Sequence, residues 1–154
     1  MGAAMELPHQ IDQALKEAIR EKNEDKRDAI RSLLTAIKNK EKELKRRPNE
    51  TEIQQLIGAQ IKQRKESAEQ FSRAGRLDLA GKEEKEAAIL QAFLPEALSP
   101  EQLEQLVMEV IETVGARSPK DMGMLMKALM PKIAGRADGK AVNDLVRARL
   151  AALG

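Results

Sequence analysis

The sequence predicts an all-α protein, and three features of composition and patterning support that fold class. Aromatic residues make up only 1% of the 154 residues, helix-forming residues dominate, and runs of β-branched residues are missing. Over most of the chain, apolar side chains recur at the three- and four-residue spacing of a single helix face. The apolar fraction of 42% is enough to build a core, so a folded chain is expected.

Four helices are expected in the first part of the chain. In each of them, apolar residues recur at the spacing that places them on one face. Pro48 closes the second helix, because a proline inside a helix removes a backbone hydrogen bond. Thr51 with Gln54 has the form of a capping box, which predicts the start of the third helix. The predicted ranges are 6–22, 26–47, 51–75 and 77–94.

A domain boundary is expected where two prolines, Pro95 and Pro100, interrupt helical continuity within six residues. Ser99 can cap a following helix that has Pro100 at its first position. The sequence therefore predicts an N-terminal helical hairpin or bundle of about four helices over residues 5–95. A small three-helix C-terminal domain is predicted over residues 99–154.

Three short helices are expected after that boundary. The first carries the most regular apolar stripe in the sequence and stops at Gly115. A second Ser-Pro start at Ser118-Pro119 opens a short helix, and Asp138 caps the last helix. The residues of the short helix expected to face inward are Met122, Leu125, Met126, Leu129 and Met130. Such helices bury a marginal core, so this half is expected to rely on the first half or on a partner.

Charge is distributed unevenly along the chain, although its net value is only +2. Residues 99–116 contain four Glu and no Lys or Arg, whereas residues 117–154 contain eight Lys or Arg against three Asp. The last segment therefore carries a charge of +5 beside a helix of −4. Such an asymmetry indicates an anionic partner.

Catalytic, cofactor and metal chemistry find little support in the sequence. Cysteine is absent, which removes thiolate nucleophiles and fits a reducing cytoplasm, and His9 is the one histidine. The carboxylates Glu83, Glu84 and Glu86 interleave with lysines, which predicts a solvated helix face rather than an acid–base pair. Phosphate-loop motifs and long apolar runs are also missing, so no cofactor, metal or membrane contact is expected.

Two basic regions are candidates for contact with phosphate. Residues 135–140, Gly-Arg-Ala-Asp-Gly-Lys, combine a helix start with two cations; they indicate either an anion-binding corner or simply a helix stop followed by a helix start. With so few aromatic residues, any contact with RNA would be to its backbone and shape. The other region, called the second basic cluster below, consists of Lys42, Lys45, Arg46, Arg47, Arg64 and Lys65.

Several short motifs together resemble the GatB/YqeY family, and specifically its free-standing YqeY branch. The resemblance covers essentially all of the chain after Met5. In the second half it is carried by residues 120–123, Met126-Lys127, and 135–140 with Val142 and Leu145. In the first half it is carried by residues 63–67 with Phe71, residues 74–76 and 78–80, and Leu94-Pro95.

The resemblance implies two helical units and kinship with the tail of the B subunit of the glutamine-dependent aspartyl/glutamyl-tRNA amidotransferase. That tail contacts the tRNA, while the chemistry belongs to other parts of that enzyme. The chain departs from the tail motif in the longer stretch 128–134 and at Asp138-Gly139. The positions that match the motif are Gly123, Met126, Lys127, Gly135, Ala137 and Lys140.

From the resemblance and the charge, we predict a non-catalytic helical module that binds tRNA, or an enzyme that handles aminoacyl-tRNA, in the cytoplasm. The carbon-nitrogen ligase activity attached to the family, with glutamine as amido donor, is interpreted as a label inherited from the larger enzyme. The alternatives are such an activity in this chain itself, or a protein-interaction adaptor using methionines 122, 124, 126 and 130. The predicted RNA-binding residues, called the C-terminal cation set below, are Lys127, Lys132, Arg136, Lys140 and Arg147.

Overall fold

Residues 6–154 are described by the computed structural model, and every regular element in that range is helical. The predicted all-α fold class is therefore confirmed. Met5, where the first predicted domain begins, lies outside the described residues. The chain divides into two compact units, which we call the N-terminal unit (Met1–Leu94) and the C-terminal unit (Pro95–Gly154).

The N-terminal unit is built from four helices around one apolar core. Helices α3 and α4 pack along each other most extensively; α1 packs on α2, and α2 also contacts α3 and α4. The helices are α1 (Leu7–Arg20), α2 (Glu24–Leu44), α3 (Glu50–Arg73) and α4 (Leu77–Gln91). The buried core residues are Leu7, Ile11, Ala29, Ile30, Leu33, Ile53, Ile57, Ile61, Ala87 and Leu90.

The predicted junction between the second and third helices differs from the observed one. Helix α2 ends at Leu44, before Pro48, because Lys45 adopts a left-handed backbone with φ 59°. The predicted capping box of Thr51 with Gln54 is wrong, because the box is formed by Asn49 and Glu52. Asn49 Oδ1 accepts from the Glu52 N–H at 2.8 Å, and Glu52 Oε1 accepts from the Asn49 N–H at 2.9 Å.

The C-terminal unit has three α-helices and one short 3-10 turn. Helix α6 contacts α5 and α7, and the 3-10 turn contacts α6 and α7. The elements are α5 (Pro100–Val114), the 3-10 turn (Pro119–Asp121), α6 (Met122–Ile133) and α7 (Gly139–Leu153). The buried core residues are Leu103, Val107, Val110, Ala116, Leu125, Leu129, Ile133, Val142, Val146 and Leu150.

Local capping signals set most helix ends of the C-terminal unit, as predicted. The Ser99 hydroxyl accepts from the Gln102 N–H at 3.1 Å, and Gly115 ends α5 with a left-handed φ of 71°. Asp138 caps α7 by accepting from the Ala141 N–H at 3.4 Å. Ser118 differs, because its side chain makes no capping hydrogen bond.

No helix within residues 6–154 is long and apolar enough to span a membrane.

Candidate nucleic-acid interface

Most of the C-terminal cation set lies on the surface of the C-terminal unit. Lys127 and Lys132 on α6, and Lys140 and Arg147 on α7, are exposed. Within the part of the chain that the structure describes, none of these four side chains lies within 4.0 Å of a carboxylate. Their charge is therefore available to an anionic ligand.

On α7, the structure brings two of these cations to the same side of the helix. Val142 and Val146 mark the buried face. Lys140 and Arg147 are seven residues apart, which corresponds to a rotation of only about 20° between them at about 100° per residue. The exposed Asp144 lies between them in sequence and reduces the positive charge of this side.

On α6, the two lysines point in different directions. Leu125, Leu129 and Ile133 are its buried residues. Lys127 and Lys132 are five residues apart, which places them about 140° apart around the helix axis. A flat ligand that contacts α6 alone therefore reaches only one of these two lysines.

Arg136 is held in place by the chain that precedes α5. Its Nε donates to the Glu96 carbonyl oxygen at 3.0 Å, and its own carbonyl oxygen accepts from the Leu98 N–H at 2.8 Å. Gly135 makes the turn with φ 73°, and the Asp138 carboxylate occupies the start of α7. The segment therefore ends α6 and begins α7. Because its Nε is already used, Arg136 can offer only its two Nη groups to an anion.

The second basic cluster loses two of its six cations to acidic partners. Arg46 forms a two-pronged ion pair with Glu52, with Nη1–Oε1 at 2.7 Å and Nη2–Oε2 at 3.1 Å. Hydrogen bonding from Arg46 is the main reason that the pKa of the Glu52 carboxyl lies below its ordinary value. Arg64 is paired within the N-terminal unit. The exposed members without an ion pair among residues 6–154 are Lys42, Lys45, Arg47 and Lys65.

Arg64 is bound to two carboxylates of α4 and is not a surface cation. Its Nη1 donates to Glu86 and lies 3.4 Å from an oxygen of Glu83. Glu86 is only 5% exposed, so the prediction of a solvated face is wrong for this residue, whereas Glu84 is exposed as predicted. The structure thus replaces a proposed phosphate contact with an internal ion pair.

The sequence does contain a signal for this ion pair. Arg64 follows the buried Ile57 by seven residues and precedes the buried Ala68 by four, so it stands on the apolar stripe of α3. Glu86 precedes the buried Leu90 by four residues on α4. Opposite charges on the core-facing stripes of two adjacent helices indicate a buried ion pair. The alternation of glutamates with lysines along α4 indicated only that this helix face is in contact with water.

The environment of Glu86 raises the pKa of its carboxyl above the ordinary value of 4.5. Burial is the largest cause, because removal from water disfavours the charged form. Arg64 and Lys82 oppose this increase, and the neighbouring carboxylates of Glu83 and Asp25 add to it. The cluster therefore tolerates a proton on Glu86 more readily than a surface glutamate would.

The substitution Glu86→Gln is expected to change how stability depends on pH. Because the pKa of Glu86 is raised on folding, the folded chain holds a proton that the unfolded chain has already released just above pH 4.5. The resulting stabilisation is complete below that value and is lost as the pH rises through the raised pKa. Urea denaturation from about pH 4 to pH 7.5 should show wild-type stability falling relative to the variant. If the difference in free energy of unfolding between the wild type and Glu86→Gln stays constant over this pH range, the pKa of Glu86 is not raised.

The methionines of α6 do not form one exposed groove. Met122, Met126 and Met130 are partly buried and pack against the core of the C-terminal unit. Met124 is 47% exposed. Most of these side chains therefore fill the core, as methionines at helical spacing commonly do.

No group of three or more His, Cys, Asp or Glu side chains within residues 6–154 has an arrangement that could hold a metal ion.

Comparison with known proteins gives several relatives that share a name. A protein of Eremothecium gossypii named Altered inheritance of mitochondria protein 41, mitochondrial, is 36% identical over 85 residues, which is 54% of this chain and 46% of that protein. Proteins of the same name from Pyrenophora tritici-repentis and Saccharomyces cerevisiae are 31% identical over 125 and 131 residues. These two matches cover 80% and 83% of this chain, and 68% of each relative.

The chain thus spans less than half of the Eremothecium gossypii protein and about two thirds of the other two. The family described as Yqey-like protein matches residues 8–150, which include both units almost completely. This match confirms the YqeY part of the resemblance noted in the sequence. The chain belongs to the Yqey-like protein family.

Proposed function

We propose that this chain is a non-catalytic RNA-associated module that binds tRNA, or an enzyme carrying tRNA, through cations of its C-terminal unit. The observation that carries the proposal is the exposure of Lys127, Lys132, Lys140 and Arg147 without acidic partners among residues 6–154. Unpaired surface cations release counterions from a phosphate backbone when they bind it. The resemblance to the tRNA-contacting amidotransferase tail supports tRNA as the RNA.

We also propose that the two units are separate domains, a four-helix N-terminal bundle and a three-helix C-terminal domain. Each has its own buried core, which supports independent folding. The relatives from Eremothecium gossypii and Saccharomyces cerevisiae are named mitochondrial. For this chain we propose the cytoplasm, supported by the absence of cysteine.

The substitution Arg147→Ala is expected to weaken tRNA binding several-fold at about 100 mM salt, because it removes one phosphate contact. Adding Lys140→Ala should extend the loss of tRNA affinity to about tenfold or more. It should also reduce, by about 1.5 to 2, the magnitude of the slope of the logarithm of the association constant against the logarithm of salt concentration. Fluorescence anisotropy with labelled tRNA at several salt concentrations measures both effects.

Arg149→Ala is the matched control, because Arg149 lies on the same helix and is paired with Glu104. It changes the net charge by the same amount as Arg147→Ala, yet it should leave tRNA affinity close to that of the wild type. Equal losses for the two variants would mean that binding depends only on total charge. An unchanged affinity of the Lys140/Arg147 double variant would end the proposal.

A further inference from the structure

A polar cavity lies among three helices of the N-terminal unit. It has a volume of about 200 Å³, and every side chain in its lining is polar or charged. Such a wall favours a ligand that forms hydrogen bonds on all sides, because the wall offers no apolar side chain for contact. The lining residues come from α2, α3 and α4 and are Ser32, Gln60, Gln63, Arg64, Ser67 and Glu83.

Two lining residues have buried polar atoms without a hydrogen-bond partner among residues 6–154. These atoms are Gln60 Oε1, which is an acceptor, and Arg64 Nε, whose N–H is a donor. Because Gln60 and Arg64 are four residues apart on α3, their side chains lie on the same face of that helix. Buried polar groups are almost always paired, so this wall indicates a ligand that both donates and accepts.

The side chains that carry these two atoms are held by their other polar atoms. Gln60 Nε2 donates to the Ser32 carbonyl oxygen at 3.3 Å. Arg64 Nη1 donates to Glu86 and lies 3.4 Å from an oxygen of Glu83. Rotating either side chain to pair its buried atom would break one of these contacts. The unpaired donor and acceptor are therefore fixed features of the wall.

The charges in the lining do not favour an ionic ligand. Arg64 and Glu83 are its charged members, and they have opposite signs and contact each other. An ammonium ion has no acceptor for the Arg64 Nε–H, and a carboxylate or phosphate ion without a proton cannot donate to Gln60 Oε1. A neutral molecule with both kinds of group can pair both atoms.

We propose that this cavity binds a small neutral polyol. Each hydroxyl group both donates and accepts, so one molecule can accept from the Arg64 Nε–H and donate to Gln60 Oε1. Its other hydroxyl groups can pair with Ser67 and with the Glu83 carboxylate, which also line the cavity. At about 30 Å³ for each water-sized group, the volume suits roughly six or seven non-hydrogen atoms, which is the size of glycerol.

A ligand can reach this cavity from solvent, because Ser32 and Gln63 in its lining are exposed. The site uses no member of the C-terminal cation set. Its existence therefore does not depend on the proposed RNA binding.

The test is an NMR titration of the full chain at neutral pH with glycerol as the probe. We expect saturable shifts of the Arg64 Nε–H signal and of the Gln60 and Ser67 backbone amides, with a dissociation constant in the millimolar range for so small a ligand. 1,2-Dimethoxyethane is of similar size but has no O–H donor, so it should give no saturable shift. Shifts that stay linear in glycerol concentration, as in a cavity that takes only water, or equal saturation by both probes, would overturn the proposal.

Two variants assign the binding to the named residues. Gln60→Met is expected to reduce glycerol affinity by about fivefold, because it removes the buried acceptor and keeps the side-chain length. Gln70→Met is its matched control, because Gln70 is on the same helix, is exposed and does not line this cavity. Ser67→Ala should also weaken binding. Wild-type affinity in both Gln60→Met and Ser67→Ala, or an equal loss in Gln70→Met, would refute the assignment.

Discussion

The substitution Arg64→Ala is expected to lower the free energy of unfolding of the N-terminal unit by about 3 kcal/mol at neutral pH, because it removes the cation of a buried ion pair. The change leaves Glu83 and Glu86 near the protein interior without the cation that they share. Removing one partner of a buried pair is costly, because the remaining charge has lost its water and gains nothing in exchange. Urea denaturation followed by far-UV circular dichroism measures this loss.

Two further variants separate this effect from a general loss of an arginine. Arg73 lies on the same helix, is 80% exposed and is 3.9 Å from Glu69, so Arg73→Ala should cause no measurable change. The double variant Arg64→Met/Glu86→Leu should recover most of the stability lost in Arg64→Ala, because apolar side chains of similar size replace the buried pair, and Glu83, whose side chain is 23% exposed, retains contact with water. If Arg64→Ala is no more destabilising than Arg73→Ala, Arg64 is not part of a buried ion pair.

The substitution Leu129→Ala is expected to unfold the C-terminal unit selectively. Leu129 is 0% exposed and lies in the core of a unit that spans residues 95–154. Truncation of a buried leucine costs about 2 to 5 kcal/mol, and a unit of this size has little stability in reserve. Far-UV circular dichroism at ambient temperature should therefore show a partial loss of helix. Thermal melting should retain the transition of the N-terminal unit.

Met124→Ala is the control for this prediction, because Met124 is on the same helix and half-exposed. Its melting curve should resemble that of the wild type. A single transition in Leu129→Ala that includes all of the helical signal would show that the two units unfold together. That outcome would contradict the proposal that they are separate domains.

The fold could be predicted where a local signal decides the structure. Ser99 with Pro100, Gly115 and Asp138 each determine a helix end through their own backbone or side chain, and each end is observed as predicted. The start of α3 was mispredicted because two capping patterns overlap there. Asn49 directly after Pro48 is the stronger of the two, since asparagine caps well at the position where proline prevents an earlier start.

The ion pair could not be predicted from local charge alternation. The pattern around Glu86 contains lysines on both sides, as an exposed helix face does, and only the packing of α4 on α3 places Glu86 against Arg64. A comparison of the apolar stripe of α3 with that of α4 predicts the pairing of Arg64 with Glu86, because each charge stands on its stripe. The arrangement of the C-terminal cation set depends in the same way on how helices are rotated in the folded unit.

The salt dependence of tRNA binding by the wild-type chain tests the central proposal most directly. Three exposed cations in contact with phosphate, namely Lys140, Arg147 and one of the two α6 lysines, predict a slope of about −2.5 for the logarithm of the association constant against the logarithm of salt concentration. We expect measurable binding at about 50 mM salt, a slope near that value, and a smaller slope when Lys140 and Arg147 are both replaced. No binding at low salt, or affinity that does not change with salt, would contradict the account.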